Sequence, residues 1–152
     1  MSNTQAMCTS FMEQLLTGTH NFTTGTGDTF KAALYLASAT VNASTTAYSS
    51  TGEVTGTNYT AGGVTVTNGT SPLSSNTSAT AGVAYWTPSA SISYSNVTLT
   101  TAFDAVLIYN SSKSNQAVSV HTFGSQTVTA GTFTLTMPTN DTSNALLRLA
   151  TT

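Results

Sequence analysis

Eight side chains in this 152-residue chain hold its conventional acid–base and metal-binding chemistry: Glu13, Asp28, Glu53, Asp104, Asp141, His20, His121 and Cys8. Their spacing argues against catalysis. A glycosidase needs two carboxyls flanking one bond, and these five share no spacing. Asp28, Asp104 and Asp141 sit beside strand or turn segments and Glu53 in a turn, and they read as turn-formers and surface charges. His20 and His121 are far apart, with no His-x-His or His-x-x-x-His pair and no second cysteine, so no metal site is expected. No Gly-x-Ser-x-Gly elbow, phosphate loop or dinucleotide fingerprint occurs. Cys8, among apolar neighbours, reads as a buried, inert thiol. Neither catalysis nor a cofactor is expected. Trp86 and the six tyrosines could stack on sugars, but they are spread over several segments, so packing in a core or interface is the better expectation.

The elements that must position these residues follow from periodicity. Met7, Phe11 and Leu15 recur at helical spacing, with Met12 and Leu16 beside them. Ser10 with Glu13 matches a capping box, a start near Asn3 is the alternative, and Gly18 supplies a stop. So short a helix is marginal alone and must dock its stripe, on its own sheet or on a neighbouring chain. After Phe22 the period becomes two. Phe30–Ala37 is apolar enough for a central strand; 64–67, 97–100 and 131–137 alternate apolar residues with Thr. Residues 82–86, 102–109, 117–123 and 145–149 are further strand candidates. Turn signals separate them, among them Ser50-Thr-Gly52, Ala61-Gly-Gly63, Asn110-Ser-Ser112 and Ala130-Gly131. The expected fold is all-β: a β-sandwich or jelly roll of about eight or nine short antiparallel strands with one short N-terminal helix. Residues 1–22 form an extension and helix, and 23–152 the β domain. Residues 65–81, poor in large apolar side chains, are expected to be a long mobile loop or hairpin tip.

Composition narrows the partners. Only 5% of residues are charged, against about 25% in an average soluble domain. By contrast, 34 Thr and 20 Ser carry hydroxyls. Lys31, Lys113 and Arg148 are too few cations to neutralise a phosphate backbone, so no nucleic-acid partner is expected. Disorder fits poorly with 39% apolar residues and a net charge of −2. No apolar run approaches the length that spans a bilayer, and no secretory signal is visible, so a cytoplasmically synthesised chain with no membrane partner is expected. Eight Asn-x-Ser/Thr sequons occur; in a chain this rich in Ser, Thr and Asn, turn chemistry accounts for them better than glycosylation.

Several runs together resemble a family of small virion structural proteins of tailed bacteriophages. They are Cys8-Thr-Ser-Phe11, Glu13, Leu15-Leu16 and Gly18-Thr-His-Asn-Phe22, then Phe30-Lys-Ala-Ala-Leu-Tyr35, Thr45-Thr-Ala-Tyr48, Glu53-Val-Thr-Gly-Thr57 and Tyr59-Thr-Ala-Gly-Gly63. Ala105-Val-Leu-Ile-Tyr-Asn110 and Phe133-Thr-Leu-Thr-Met-Pro138 continue the family's order. The resemblance covers Cys8 to about Leu149. The residues before Met7 look like an extension, and 71–81 looks longer than the family's segment. The resemblance implies a virion protein made in a bacterial host cytoplasm. Its first expected role is capsid decoration (cement) on the head surface, as a dimer or trimer bound to the major capsid protein. A neck or tail component comes second, and a receptor- or glycan-binding fibre module third. Phe11, Leu15, His20, Asn21 and Phe22 are the candidate partner-contact segment. Deleting residues 1–22 is then expected to abolish capsid binding and leave the β domain folded.

Overall fold

Two long strands organise the chain. The computed structural model describes residues 2–77 and 80–151, and its longest elements are β6 (Ile92–Asn110) and β7 (Gln116–Leu135). They pair antiparallel from Ile92↔Leu135 to Asn110↔Gln116. The loop between them turns through Ser114 and Asn115, both at positive φ. Strand candidates 97–100 and 102–109 therefore belong to one element, as do 117–123 and 131–135. The breaks that divide them in the sequence are bulges, which add residues to one strand without ending the ladder. Asn96 (φ 51°) and Ala130 (φ 44°) lie at two of these register shifts. Ala130-Gly131 is thus a bulge inside β7 and not a turn.

The other strands assemble around this hairpin. β2 (Phe30–Leu36) pairs with β6, and β3 (Val64–Thr65) pairs with β2. β1 (Ala6–Met7) pairs with β7 through Ala6↔Val120 and Met7↔Ser119. The five-stranded order is β1-β7-β6-β2-β3. A second sheet, ordered β4-β5-β8, is made by β4 (Leu73–Thr77), β5 (Thr80–Trp86) and β8 (Leu147–Ala150). All pairings are antiparallel. The fold is all-β in two sheets with one short N-terminal helix. Within 65–81, the hairpin alternative describes β4 and β5; residues 78 and 79 lie outside the described residues.

The core follows the apolar runs. Phe30, Ala32, Ala33, Leu34 and Tyr35 are all buried, so both faces of β2 are covered. Val106, Leu107 and Ile108 do the same for β6, with Val118 and Val120 beside them on β7. Each large apolar side chain so buried contributes roughly 1.5–3 kcal/mol. Thr65, Thr67, Thr100, Thr132 and Thr134 are exposed, as the alternation requires. Gly63 (φ +71°) brings β3 onto β2, since a Cβ there would fall 1.7 Å from the Ala32 carbonyl oxygen.

The N-terminal segment joins this same core. α1 (Thr9–Leu16) starts after Cys8, whose extended backbone (φ −70°, ψ 137°) continues from β1. No side chain caps it. The Ser10–Glu13 capping box does not form: β1 pairing holds the chain extended up to Cys8, which leaves Ser10 as the second helical residue. Its Oγ is buried without a partner. Met7 lies in β1, outside the helix. The stop is as expected: Gly18 (φ +69°) N–H donates to Leu15 O at 3.2 Å, and Thr19 N–H to Gln14 O at 2.9 Å. These are the two bonds of a Schellman cap. Cys8, Phe11 and Phe22 are packed into the core with β2, β6 and β7. The boundary at 22/23 therefore marks a change of secondary structure, while the packing runs across it.

Candidate functional site

The segment 11–22 has two sides. Phe11 (2% exposed) and Phe22 (8%) face inward. Phe22 stacks on Phe30 with centroids 4.2 Å apart and meets Trp86 edge-on at 4.8 Å. Trp86 Nε1–H donates to Asn68 Oδ1 at 3.0 Å, and Asn68 Nδ2–H donates to Phe22 O at 2.8 Å. These two anchors of the expected contact segment are thus enclosed by their own chain. Leu15 is half-buried and Asn21 exposed. The outward side carries Leu16, 90% exposed, and Met12, 45% exposed.

His20 is held in a polar relay. Its Nε2–H donates to Gln14 Oε1 at 2.7 Å, and Asn110 Nδ2–H donates to Nδ1 at 2.9 Å. Asn110, fully buried, also donates to Asp28 Oδ2 at 2.8 Å, and the Asn21 N–H donates to the same oxygen at 2.9 Å. Lys113 Nζ lies 3.8 Å from Asp28 Oδ1, the only ion pair among the described residues. Burial lowers the His20 pKa, partly opposed by the Asp28 charge. Burial pushes the Asp28 carboxyl up, but bonds from Asn110 and Asn21, with Lys113 and His20 nearby, bring it below the usual range. Both imidazole nitrogens are engaged by protein groups, so this relay fastens the chain after α1 to the β6–β7 turn and offers no free base.

Glu53 departs from the sequence expectation. It is 6% exposed, not a surface turn charge. Its Oε1 accepts from Tyr59 OH and from the Gly62 N–H, both at 2.8 Å, and its Oε2 accepts from Tyr48 OH at 2.6 Å. Tyr48 stacks on Tyr109, whose OH donates to Gly62 O at 2.8 Å. Tyr59 stacks on Tyr94, whose OH donates to Ala32 O at 2.8 Å. Burial raises the pKa values of Tyr48 and Tyr59, and the bond to Glu53 raises both further. The cluster latches the 48–62 crossing onto β2 and β6. No signal in the sequence announced it, because Glu53 follows the Ser50-Thr-Gly52 turn and its partners are brought together only by the fold.

Other reactive groups are enclosed or incomplete. Ser119 and His121, two residues apart on one face of β7, place Oγ and Nε2 2.9 Å apart. Ser119 is 1% exposed, and no carboxylate bonds to His121 among the described residues. Burial lowers the His121 pKa to about 4. Burial pushes the Cys8 thiol up to about 11. Among the described residues, no group of three His, Cys, Asp or Glu could hold a metal ion. No described helix is long and apolar enough to cross a membrane.

One of the open surfaces is apolar. A shallow groove of about 100 Å³ lies between α1 and the second sheet, lined by Phe11, Leu15, Phe22, Ala84, Trp86 and Leu149 among others. Ala84, Trp86, Leu147 and Leu149 share one face of that sheet by register. Leu149 is 46% exposed, and Met12 and Leu16 extend the apolar surface around the helix. Comparison with protein-family models, curated proteins and solved structures finds no match to this chain.

Proposed function

We propose that this chain is a non-enzymatic structural protein of a tailed-bacteriophage virion, a decoration (cement) protein that binds the assembled head through the major capsid protein. The observation that carries the reading is the uncharged apolar groove between α1 and the second sheet, whose lining residue Leu15 is followed in α1 by the exposed Leu16. Charges are depleted at interface centres because desolvating them is costly. A groove built this way suits a permanent neutral contact. Exposed Thr and Ser hydroxyls elsewhere on the surface can add hydrogen bonds to such a contact at roughly 0.5–1.5 kcal/mol each. Binding only the assembled shell would stabilise that state by mass action. The contact element is then Leu15, Leu16 and the groove, to whose lining the nearly enclosed Phe11 and Phe22 also belong.

Purified virions provide the test. Quantitative mass spectrometry should find this chain in hundreds of copies per particle, and a cryo-EM map should place it on the head. Tens of copies or fewer, at the neck or tail, would transfer it to the second role of the same class. Its absence from particles would end the virion reading.

A further inference from the structure

The most unusual open surface outside that groove is an edge of the larger sheet. The first residues of β7 are covered on the side away from β6. Tyr48 N–H donates to Asn115 O, Ala117 N–H to Thr46 O, and Cys8 N–H to Val118 O; β1 then pairs with Ser119 and Val120. The Gln5 side chain reaches the Thr122 N–H at 3.4 Å. Beyond Thr122, β7 has β6 as its only strand partner among the described residues. Edge strands direct unpaired N–H and C=O groups outward on alternate residues, and proteins normally blunt such edges with Lys, Pro, shortness or bulges. The edge at β3 is two residues long. By contrast, 122–135 contains no charged residue and no proline. The run Gly131–Leu135 has no extra residue of its own: it is in continuous register with Ile92–Tyr94 over Phe133–Leu135, and the register shift before Gly131, between Tyr94 and Val97, adds its residue to β6.

We infer that Gly131–Leu135 is a self-association edge, at which a second copy of this chain adds its own 131–135 antiparallel about a two-fold axis. The occupant follows from three properties of the run. Its free main-chain groups require an extended strand. A two-fold pairing sets each residue against its own symmetry mate's segment, where like charges would repel; this run has none. Centred on Phe133, the pairing sets Thr132 against Thr134 and Gly131 against Leu135, with the two Phe133 rings on one face. Phe133 is half-buried and already packs edge-on against Phe103 at 5.0 Å and tilted against Phe123 at 5.2 Å. The joined ribbons would merge these aromatic rows into one apolar stripe. β4 is another uncharged edge, but Ser74 and Ser75 bring it little apolar area.

The inference stands on the edge geometry and does not depend on the virion reading; its test uses the purified chain without capsids. Sedimentation equilibrium at micromolar concentration should give a dimer. The variant T132K/T134K places ammonium groups opposite one another on exposed positions and should weaken dimerisation at least tenfold, with near-UV circular dichroism unchanged. T100K/T101K, on exposed residues of the interior strand β6, should leave the dimer intact. A monomeric wild-type chain would overturn the inference. So would a dimer that T132K/T134K leaves unchanged, or one that the β6 variant dissociates equally.

Discussion

At the scale of single residues, the most consequential side chain is a carboxylate with no cation beside it. Glu53 accepts from Tyr48, Tyr59 and the Gly62 N–H, so its removal strands three donors, one of them a buried main-chain group. Each orphaned buried group costs about 1–3 kcal/mol. Glu53→Ala should therefore destabilise the fold by about 3–5 kcal/mol. Glu53→Gln keeps an acceptor for Gly62 and should cost about 1–2 kcal/mol. Urea midpoints would check both, and equal effects would remove the latch from the account. His121 gives a pH dependence with a definite sign. Its folded pKa, about 4, lies below the unfolded value near 6.5, so the unfolded chain binds more protons between those limits. Stability should fall as pH drops from about 6.5 to 4, by about 3 kcal/mol at most. Half-buried His20 acts in the same direction. His121→Gln should flatten that slope in urea denaturation; an unchanged slope would show the residue to be solvated. The sequence disclosed neither role, because burial at positions 53 and 121 is set by strands far away in the chain.

Secondary structure was legible wherever a local pattern was sufficient. Thr alternation identified 97–100 and, of 131–137, the part up to Leu135; the apolar run identified β2, and Gly18 identified the end of α1. Local patterns failed where partners were distant. The Ser10–Glu13 box lost to β1 pairing, and positive-φ residues that look like turns became bulges. The N-terminal segment is the clearest case. Its helical stripe was expected to be able to dock at home or abroad, and the structure docks it at home, with Phe11 and Phe22 in the core. Phe11→Ala should cost about 3–5 kcal/mol. Deletion of residues 1–22 should consequently abolish the cooperative unfolding transition and the near-UV signal, and not leave a folded β domain. A truncated chain that melts sharply would restore the two-part organisation. Leu16→Asp, on the exposed side of the same helix, should leave stability within about 0.5 kcal/mol of the parent and still abolish particle binding. The pairing of those two results separates docking at home from docking on a partner.

For the whole molecule, the shortage of charge has a measurable consequence. One ion pair, Lys113–Asp28 at 3.8 Å with a half-exposed lysine, is all that is found among the described residues. Screening acts on charges, so both stability and particle binding should change little between low and high salt. A steep salt dependence would point to an electrostatic partner such as nucleic acid. The same neutrality made the fold class readable in outline, since nothing but alternation and turns was left to organise it, while it hid the candidate site: apolar grooves have no sequence motif. The β1–β7 pairing carries one more implication, for the order of events during synthesis. Ala6 must wait for Val120, so Cys8 and Phe11 stay outside any core until more than a hundred further residues have been translated. At about 5–20 residues per second that interval is roughly 6–23 s. Over that interval the nascent chain carries an exposed thiol and an unsheltered aromatic residue, a window for oxidation or chaperone contact that closes when β7 is made.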